Sequence, residues 1–500
     1  MKKIYGYKRI AMKRSAFLFL IVFAAWCCQE AKADTSSMVA VGDSMMPLTD
    51  IIRLGLPLLN IETVDSEEPT CEYVSAPSGC MGMTIRNATK VPGRITMYQR
   101  IEGLDSAVYD SGDYEKDVSG MTIKIRGNTS AYADKKPYKI KLQKKKDMLM
   151  RGDEAKFKDK EWLLLKDHYL LITAGYIVSE LLNMPWTPGH RFVNVVMNDE
   201  YRGVYLLCES VKRNPDCRIN VDKTSGYIFE CDPYWWNEDV YVNSVTSPSY
   251  NFTFKYPDSD EILPEQLTYL QGVVTDYENS LNQTTYPEKI DIMSFASWCL
   301  AHDLMGTQDS GGANRFYCKY DSTDTSRIVM PVLWDFDMAE RVISQWSPCH
   351  THHFKKLFNN TNRQFVDEFV WQWRRVGTTF YSDFVNAMNT FALSDECQGL
   401  KASEPLEMLR WNFNMAVDTR VYDRKYWYQR RVGWIDPAIN ALNPVGDANV
   451  DGKVEISDAT YLIDWLLSNN GSALHAFDVD GNGTVSISDV IAIIDILLSD

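Results

Sequence analysis

The sequence predicts an α+β chain in three parts: a strand-rich region, a helix-rich region and a small all-α tail. Three observations carry this reading. Segments with β-branched and aromatic alternation crowd between residues 56 and 231, helical periodicity takes over after about residue 264, and a 31-residue repeat closes the chain. With 45% hydrophobic and 12% aromatic residues, the 500-residue chain has the composition to bury a large core.

The N-terminus stands apart. Lys2, Lys3, Lys8, Arg9, Lys13 and Arg14 precede the apolar run SAFLFLIVFAAWCC, and an A-x-A site follows in EAKAD. That order predicts an export leader over residues 1–33, and hence a secreted protein. A run of about 14 apolar residues is short for a bilayer span. Lipid attachment at Cys27 or Cys28 is the rival, disfavoured by bulky Trp26 before it. Loss of seven Lys/Arg and one Glu with the leader takes the net charge from −15 to −21. So acidic a chain has no overall field for nucleic acid. Nine cysteines would remain, without a C-x-x-C pair for a zinc ribbon or thioredoxin-like site. Cys71 and Cys80 bracket the turn-rich EYVSAPSG, so a disulfide there is one expectation and free thiols the other.

Residues 34–54 read as an N-terminal segment and 55–435 as one large domain. LPLLNIET, MTIKIRGNTS, PYKIKLQ, RFVNVVMND, YRGVYLLCESV and GYIFEC alternate as strands. VNVVMNDEYRGVYLLCE reads as a hairpin turning within Asn198–Gly203, and AGYIVSELLN as a helix before it. Phosphate binding needs cations on a rigid frame. In KKPYKIKL, an extended chain puts Lys139 and Lys141 on one face, opposite Tyr138, Ile140 and Leu142. Lys141 is favoured over Lys139; a merely solvated lysine face is the plainer alternative. Glu180, the only acidic residue of AGYIVSELLN, is the candidate ion-pair partner of that lysine. Arg126 and Gly127 open the RGNTS turn, which offers charge and backbone N–H groups. No G-x-G-x-x-G is present.

KIDIMSFASWCLAHDLMG and RQFVDEFVWQWRRVG read as helices. Between them, Asp309 precedes Asn314 by five residues in GTQDSGGANRFYCKY, and Asp335 and Asp337 flank Phe336 in VLWDFDMA. One carboxylate to take a hydroxyl proton, with an amide and further carboxylates to hold a divalent ion, is the equipment of phosphoryl transfer. The glycines of SGGA let the chain turn back between Asp309 and Asn314. The plainer alternative is a solvated turn at Asp309–Asn314, with Asp335 and Asp337 capping a helix at MAERVISQW. His350, His352 and His353 with Cys349 are read as a surface segment in preference to a metal cluster. Trp235 and Trp236 are read as packing in preference to a stacking platform.

IKIRGNTS, KKPYKIKL, NDEYRGVYLLCE, D-x4-N and LWDFDMA, in this order, resemble the CotH family of spore-coat-type secreted kinases. The resemblance implies a trimmed, atypical protein-kinase-like fold with a strand-rich N-lobe and a helical C-lobe. It implies ATP with Mg²⁺ or Mn²⁺ as cofactor, Asp309 as catalytic aspartate, and Asn314 and Asp335 as metal holders. Where kinases carry D-F-G this chain carries D-F-D, so Asp337 is read as a further metal ligand. The phosphoacceptor would be a protein Ser/Thr hydroxyl.

Residues 436–445 read as a linker with two prolines, and 446–500 as the tail. Its two copies place Asp447, Asn449, Asp451, Lys453 and Asp458, then Asp478, Asp480, Asn482, Thr484 and Asp489, at positions 1, 3, 5, 7 and 12 of an EF-hand-like loop. Lys453 and Thr484 would offer backbone carbonyls, so two Ca²⁺ are expected. Each loop runs into an apolar helix, but Pro444 and Gly446 cannot supply an entering helix before the first. Two loop–helix halves of this kind resemble the dockerin family. The resemblance implies a cohesin domain of a scaffold protein as partner, met around Ile456, Ser457, Ile487 and Ser488, and so a cellulosome-like assembly. Two other functions stand beside the kinase: a catalytically silent structural component, and a carbohydrate-active enzyme of the kind such modules deliver for polysaccharide degradation.

Overall fold

The structure is a computed structural model that describes residues 37–247, 249–312, 314–468 and 473–499. The leader expected at 1–33, with Cys27 and Cys28, lies outside the described residues. None of the helices described is long and apolar enough to cross a membrane.

The alternating segments other than GYIFEC join two strands not singled out in the sequence, Val91–Ile101 and Asp159–Leu165, in a closed, barrel-like sheet. In order around it run Asp159–Leu165, Tyr138–Lys146, Met121–Ile125, Val91–Ile101, Leu58–Thr63, His190–Met197 and Glu200–Glu209, the last pairing back to the first. All contacts are antiparallel except that between Leu58–Thr63 and His190–Met197. The period of two puts Leu59, Ile61, Ile95, Ile123, Ile140, Trp162, Leu164, Val193 and Val195 into the barrel interior, where they form one buried cluster. The described part of the 34–54 segment, residues 37–54, is part of this body. Its hairpin, Met38–Val41 with Ser44–Pro47, adds to Glu200–Glu209, and its helix Leu48–Ile52 buries Leu48, Ile51 and Ile52 with Val196 and Tyr201.

The hairpin expected within Asn198–Gly203 turns at Asn198 and Asp199, both at positive φ (53° and 57°), the geometry a two-residue loop needs. Gly203 lies beyond the turn, where the register slips between Val195 and Val196 at a bulge.

A second sheet, Asn251–Tyr256, Tyr227–Asp232, Arg315–Lys319 and Ile328–Val329, stands beside the barrel. Around it pack the helices Leu171–Leu181, Pro264–Ser280, Ile292–Met305, Gln364–Leu393 and Val417–Asn440, over the largest core of the chain. The helix Asp395–Trp411 ties the helical part to the barrel. Its fully buried Glu407 lies 2.7 Å from Lys135 Nζ, which also donates to the Val204 carbonyl at 2.6 Å. Burial pushes Lys135 down to about 8, against the pull of Glu407.

Three expectations need correction here. Residues 436–440 are the last turn of Val417–Asn440, so the connection to the tail begins only at Ala441. No helix forms over MAERVISQW, where the chain after Asp337 runs as turns and bends. Cys71 and Cys80 are free thiols. They sit at opposite ends of the ribbon Glu72–Ser75 and Met83–Arg86, whose four residues span about 13 Å, beyond disulfide reach.

The tail has two helices, Ile456–Ser468 and Ile487–Ser499, with Ala448, Ala459, Leu462, Phe477, Val490 and Ile493 as its core.

Candidate active site

A cleft of about 1080 Å³ opens between the barrel and the second sheet. The barrel wall brings Lys124, Arg126, Gly127, Lys139 and Lys166; the other wall brings Glu230, Asp232, Lys255, Asp309, Asn314, Asp335 and Asp337. Asp309 lies on a short turn at Gln308–Gly311, just past Ile292–Met305, and Asn314 immediately precedes Arg315–Lys319. The Asn314 amide donates to Asp309 Oδ2 at 3.1 Å, while Asp309 Oδ1 is buried without a partner among the described residues. Asn314 and Asp335 both hold positive φ, 61° and 62°. Asn and Asp enter that region more readily than other non-glycine residues, and here it turns both side chains toward the cleft.

Phe336 anchors the chain beside Asp335. It is fully buried, edge-on to Tyr176 at 5.5 Å between ring centroids, and its ring covers Gly175, where a Cβ would stand 2.7 Å from it. With Phe336 pinned on the helix Leu171–Leu181, the flanking Asp335 and Asp337 are left open to the cleft.

Burial and then crowding raise Asp309 and Asp335. Burial, then the Asp337 charge, push Asp309 up to about 7 against the Asn314 hydrogen bond. Asp335 is raised well above the usual carboxylate range by desolvation, then Asp337, then Asp309, with Arg126 opposing. The cations are perturbed the other way. Lys124 is lowered by burial and then by Lys139, Arg126 by burial against the pull of Asp335, and Lys166 by burial against Asp337. Among the described residues Lys124 and Arg126 have no ion pair or side-chain hydrogen bond, and Lys166 reaches only the Ser130 carbonyl at 3.5 Å. Three half-buried cations without an ion pair among the described residues form an anion-receptive wall opposite an oxygen-only donor set. Hard divalent cations such as Mg²⁺ and Mn²⁺ take such oxygen ligands, so the residues present fit the ion.

The sequence expectations fare unevenly. Asp309, Asn314, Asp335, Asp337, Arg126 and Lys139 meet in this one cleft. Lys141 does not line it. It is two residues further along the strand, with a side chain 57% exposed against 31% for Lys139. Glu180 is not the partner of either lysine. It is exposed on the outer face of Leu171–Leu181, in a separate depression with Arg151 and Arg191. Glu161 takes that place, 2.8 Å from Lys139 Nζ, because its strand pairs directly with Tyr138–Lys146. Lys124 and Lys166 were missed. Lys124 alternates outward in MTIKI like any solvated strand lysine, and only its pairing with Lys139 across the sheet puts it in the cleft.

The histidine segment holds no convergent cluster. His350 is buried against Asp303 at 3.2 Å and stacked on Trp346 and Phe358, while His353 faces the Tyr277 hydroxyl at 3.3 Å. Trp236 donates to the Met81 carbonyl, and Trp235 packs on Tyr241.

The tail loops show a different organisation. In each, backbone N–H groups of the loop itself hold the acidic side chains. Gly452 and Asp451 donate to Asp447, and Asn449 and Glu455 to Asp458. In the second loop Gly483 donates to Asp478, and Val479, Asp480 and Ser486 to Asp489. One oxygen each of Asp478, Asp480 and Asp489 lies within 4.8 Å of the others, and Asp478 Oδ1 is buried without a partner. Burial, with Asp458 and Asp451 nearby, pushes Asp447 up to about 6. These acidic, inward-turned oxygen sets fit Ca²⁺.

Residues 123–379 match the family described as CotH kinase protein. The chain belongs to the CotH family. Residues 445–498 match the type I dockerin domain, so the CotH region carries a C-terminal dockerin. Dockerins bind calcium, and their presence implies a cohesin partner. No curated protein matches this chain. The CotH match spans every cleft residue named above, from Lys124 to Asp337.

Proposed function

We propose that the CotH region is an atypical, kinase-like phosphotransferase that moves the γ-phosphate of ATP to a protein Ser/Thr hydroxyl. The observation that carries this is the pairing, in one cleft, of three cations without an ion pair among the described residues with three mutually repelling carboxylates. Nucleotide phosphates and a divalent ion together would neutralise both walls.

Asn314, Asp335 and Asp337 would hold the metal, which supplies charge neutralisation on the phosphates when bound. Lys124, Arg126, Lys139 and Lys166 would bind and orient the phosphates. Asp309, kept basic near neutral pH by its raised position, would accept the acceptor hydroxyl proton, and Asn314 fixes the Asp309 carboxylate by its hydrogen bond. A loose transition state asks for positioning and charge more than covalent help. In this reading the barrel plays the N-lobe and the helical part the C-lobe.

The dockerin would tether this enzyme, secreted through the 1–33 leader, to a cohesin-bearing scaffold. The exposed Ile456 and Ile487 would meet the partner. Calorimetric titration of ATP with Mg²⁺ or Mn²⁺ tests the site: saturable binding that Asp335→Ala abolishes supports it, and heat without metal or Asp335 dependence sinks it.

A further inference from the structure

The two dockerin loops differ at position 4, where the chain must be left-handed. In the second loop the residue is Gly481 at φ 70°; in the first it is Val450 at φ 58°. A β-branched side chain there is strained and needs a compensating contact. The contact is with the large domain. Val450 is fully buried and belongs to the main helical core, with Leu474 and Ala476 packed against that core beside it. Arg363, at the start of the helix Gln364–Leu393, donates through Nε to the Val450 carbonyl at 2.7 Å and through Nη1 to the Phe358 carbonyl at 2.7 Å.

The same helix grips the dockerin a second time. Asp367 accepts the backbone N–H groups of His475 and Ala476 at 2.7 and 2.8 Å. Glu368 meets His475 Nε2 at 3.0 Å, and Trp371 stacks on the His475 ring at 4.2 Å. The dockerin is therefore seated on the CotH region as well as tethered to it.

We propose that the first calcium loop is a structural component of the large domain, so that calcium binding in it and seating of the dockerin are one coupled equilibrium. Asp447, Asn449 and Asp451 flank Val450 at alternate positions, so the loop shape that gathers their oxygens is the shape that presents Val450 and its carbonyl outward. Calcium then stabilises the large domain, and by reciprocity the domain raises calcium affinity in this loop. The inference is independent of phosphoryl transfer.

The test is calorimetric unfolding of the full chain in Ca²⁺ and in EGTA, with calcium affinity measured by chelator competition. In the wild type, calcium raises the main unfolding transition. Val450→Gly keeps every side-chain ligand and suits the left-handed position, yet it loses most of that rise. Arg363→Ala removes no calcium ligand, and loss of its charge near Asp447 and Asp451 would by itself favour the cation, so a several-fold weakening of one of the two calcium sites reports the lost seat. A wild-type transition indifferent to calcium overturns the proposal. So does a rise of equal size in Val450→Gly, or calcium affinities unchanged in Arg363→Ala.

Discussion

The chain carries two sets of acidic oxygens, built on opposite plans. Each dockerin loop gathers its side chains within twelve consecutive residues and fixes them with its own backbone N–H groups. The cleft draws on segments from Lys124 to Asp337, and its charges are set by burial and by one another. A local site is robust and readable as a pattern. A non-local site is only as sound as the packing that assembles it, and its charged groups stay unrelieved until ligands arrive.

That contrast can be broken by mutation. The largest effect is expected at the cleft: Asp335→Ala or Asp309→Ala should cut phosphoryl transfer by at least about 100-fold with an unchanged circular dichroism spectrum. Transfer surviving in both variants contradicts the assignment. Next, Asp489→Ala should remove one of two calcium ions in a binding titration while leaving ATP affinity within about twofold, since loop and cleft share no ligand.

Dependence on packing is tested at the join between barrel and helices. Glu407→Gln leaves Lys135 buried without its counter-charge, which should cost about 3–5 kcal/mol in denaturant unfolding. A loss below about 1 kcal/mol would mean that the pair does not hold the cleft walls together.

A smaller and opposite effect is expected from Asp309→Asn without metal. The folded Asp309 carboxyl lies raised, at about 7 against an ordinary 3.8, so its ionisation opposes folding. That cost is absent below about pH 3.8, grows as pH rises, and is complete above about 7. In EGTA and EDTA the variant should therefore match the wild type near pH 4 and exceed it by on the order of a few kcal/mol at pH 8. The smallest contrast separates two lysines. Lys124→Ala should weaken ATP binding about tenfold, and Lys141→Ala, outside the cleft, by less than about twofold.

The dockerin loops were legible residue by residue because their ligand spacing is written in the chain. Five of the seven barrel strands were legible through their alternation, Val91–Ile101 and Asp159–Leu165 were not, and Phe336 with its flanking aspartates was legible through a short motif. Closure of the sheet was not, since Asp159–Leu165 pairing with Glu200–Glu209 leaves no local signature. Nor was the choice among lysines. Lys124, Lys139 and Lys141 all alternate outward on neighbouring strands, and which of them face the cleft depends on where the second sheet stands. Glu180 showed the converse error: a lone acidic residue on the right helix, turned to the wrong side.

One measurement bears most directly on the division of labour between the two acidic sets: transfer of labelled γ-phosphate from ATP to the chain itself and to a Ser-rich peptide, with Mg²⁺ or Mn²⁺. The account predicts metal-dependent label on a Ser or Thr, lost in Asp335→Ala and retained in Asp489→Ala. ATP that neither binds nor turns over with either metal would contradict it, leaving the cleft as inherited architecture on a calcium-dependent docking protein.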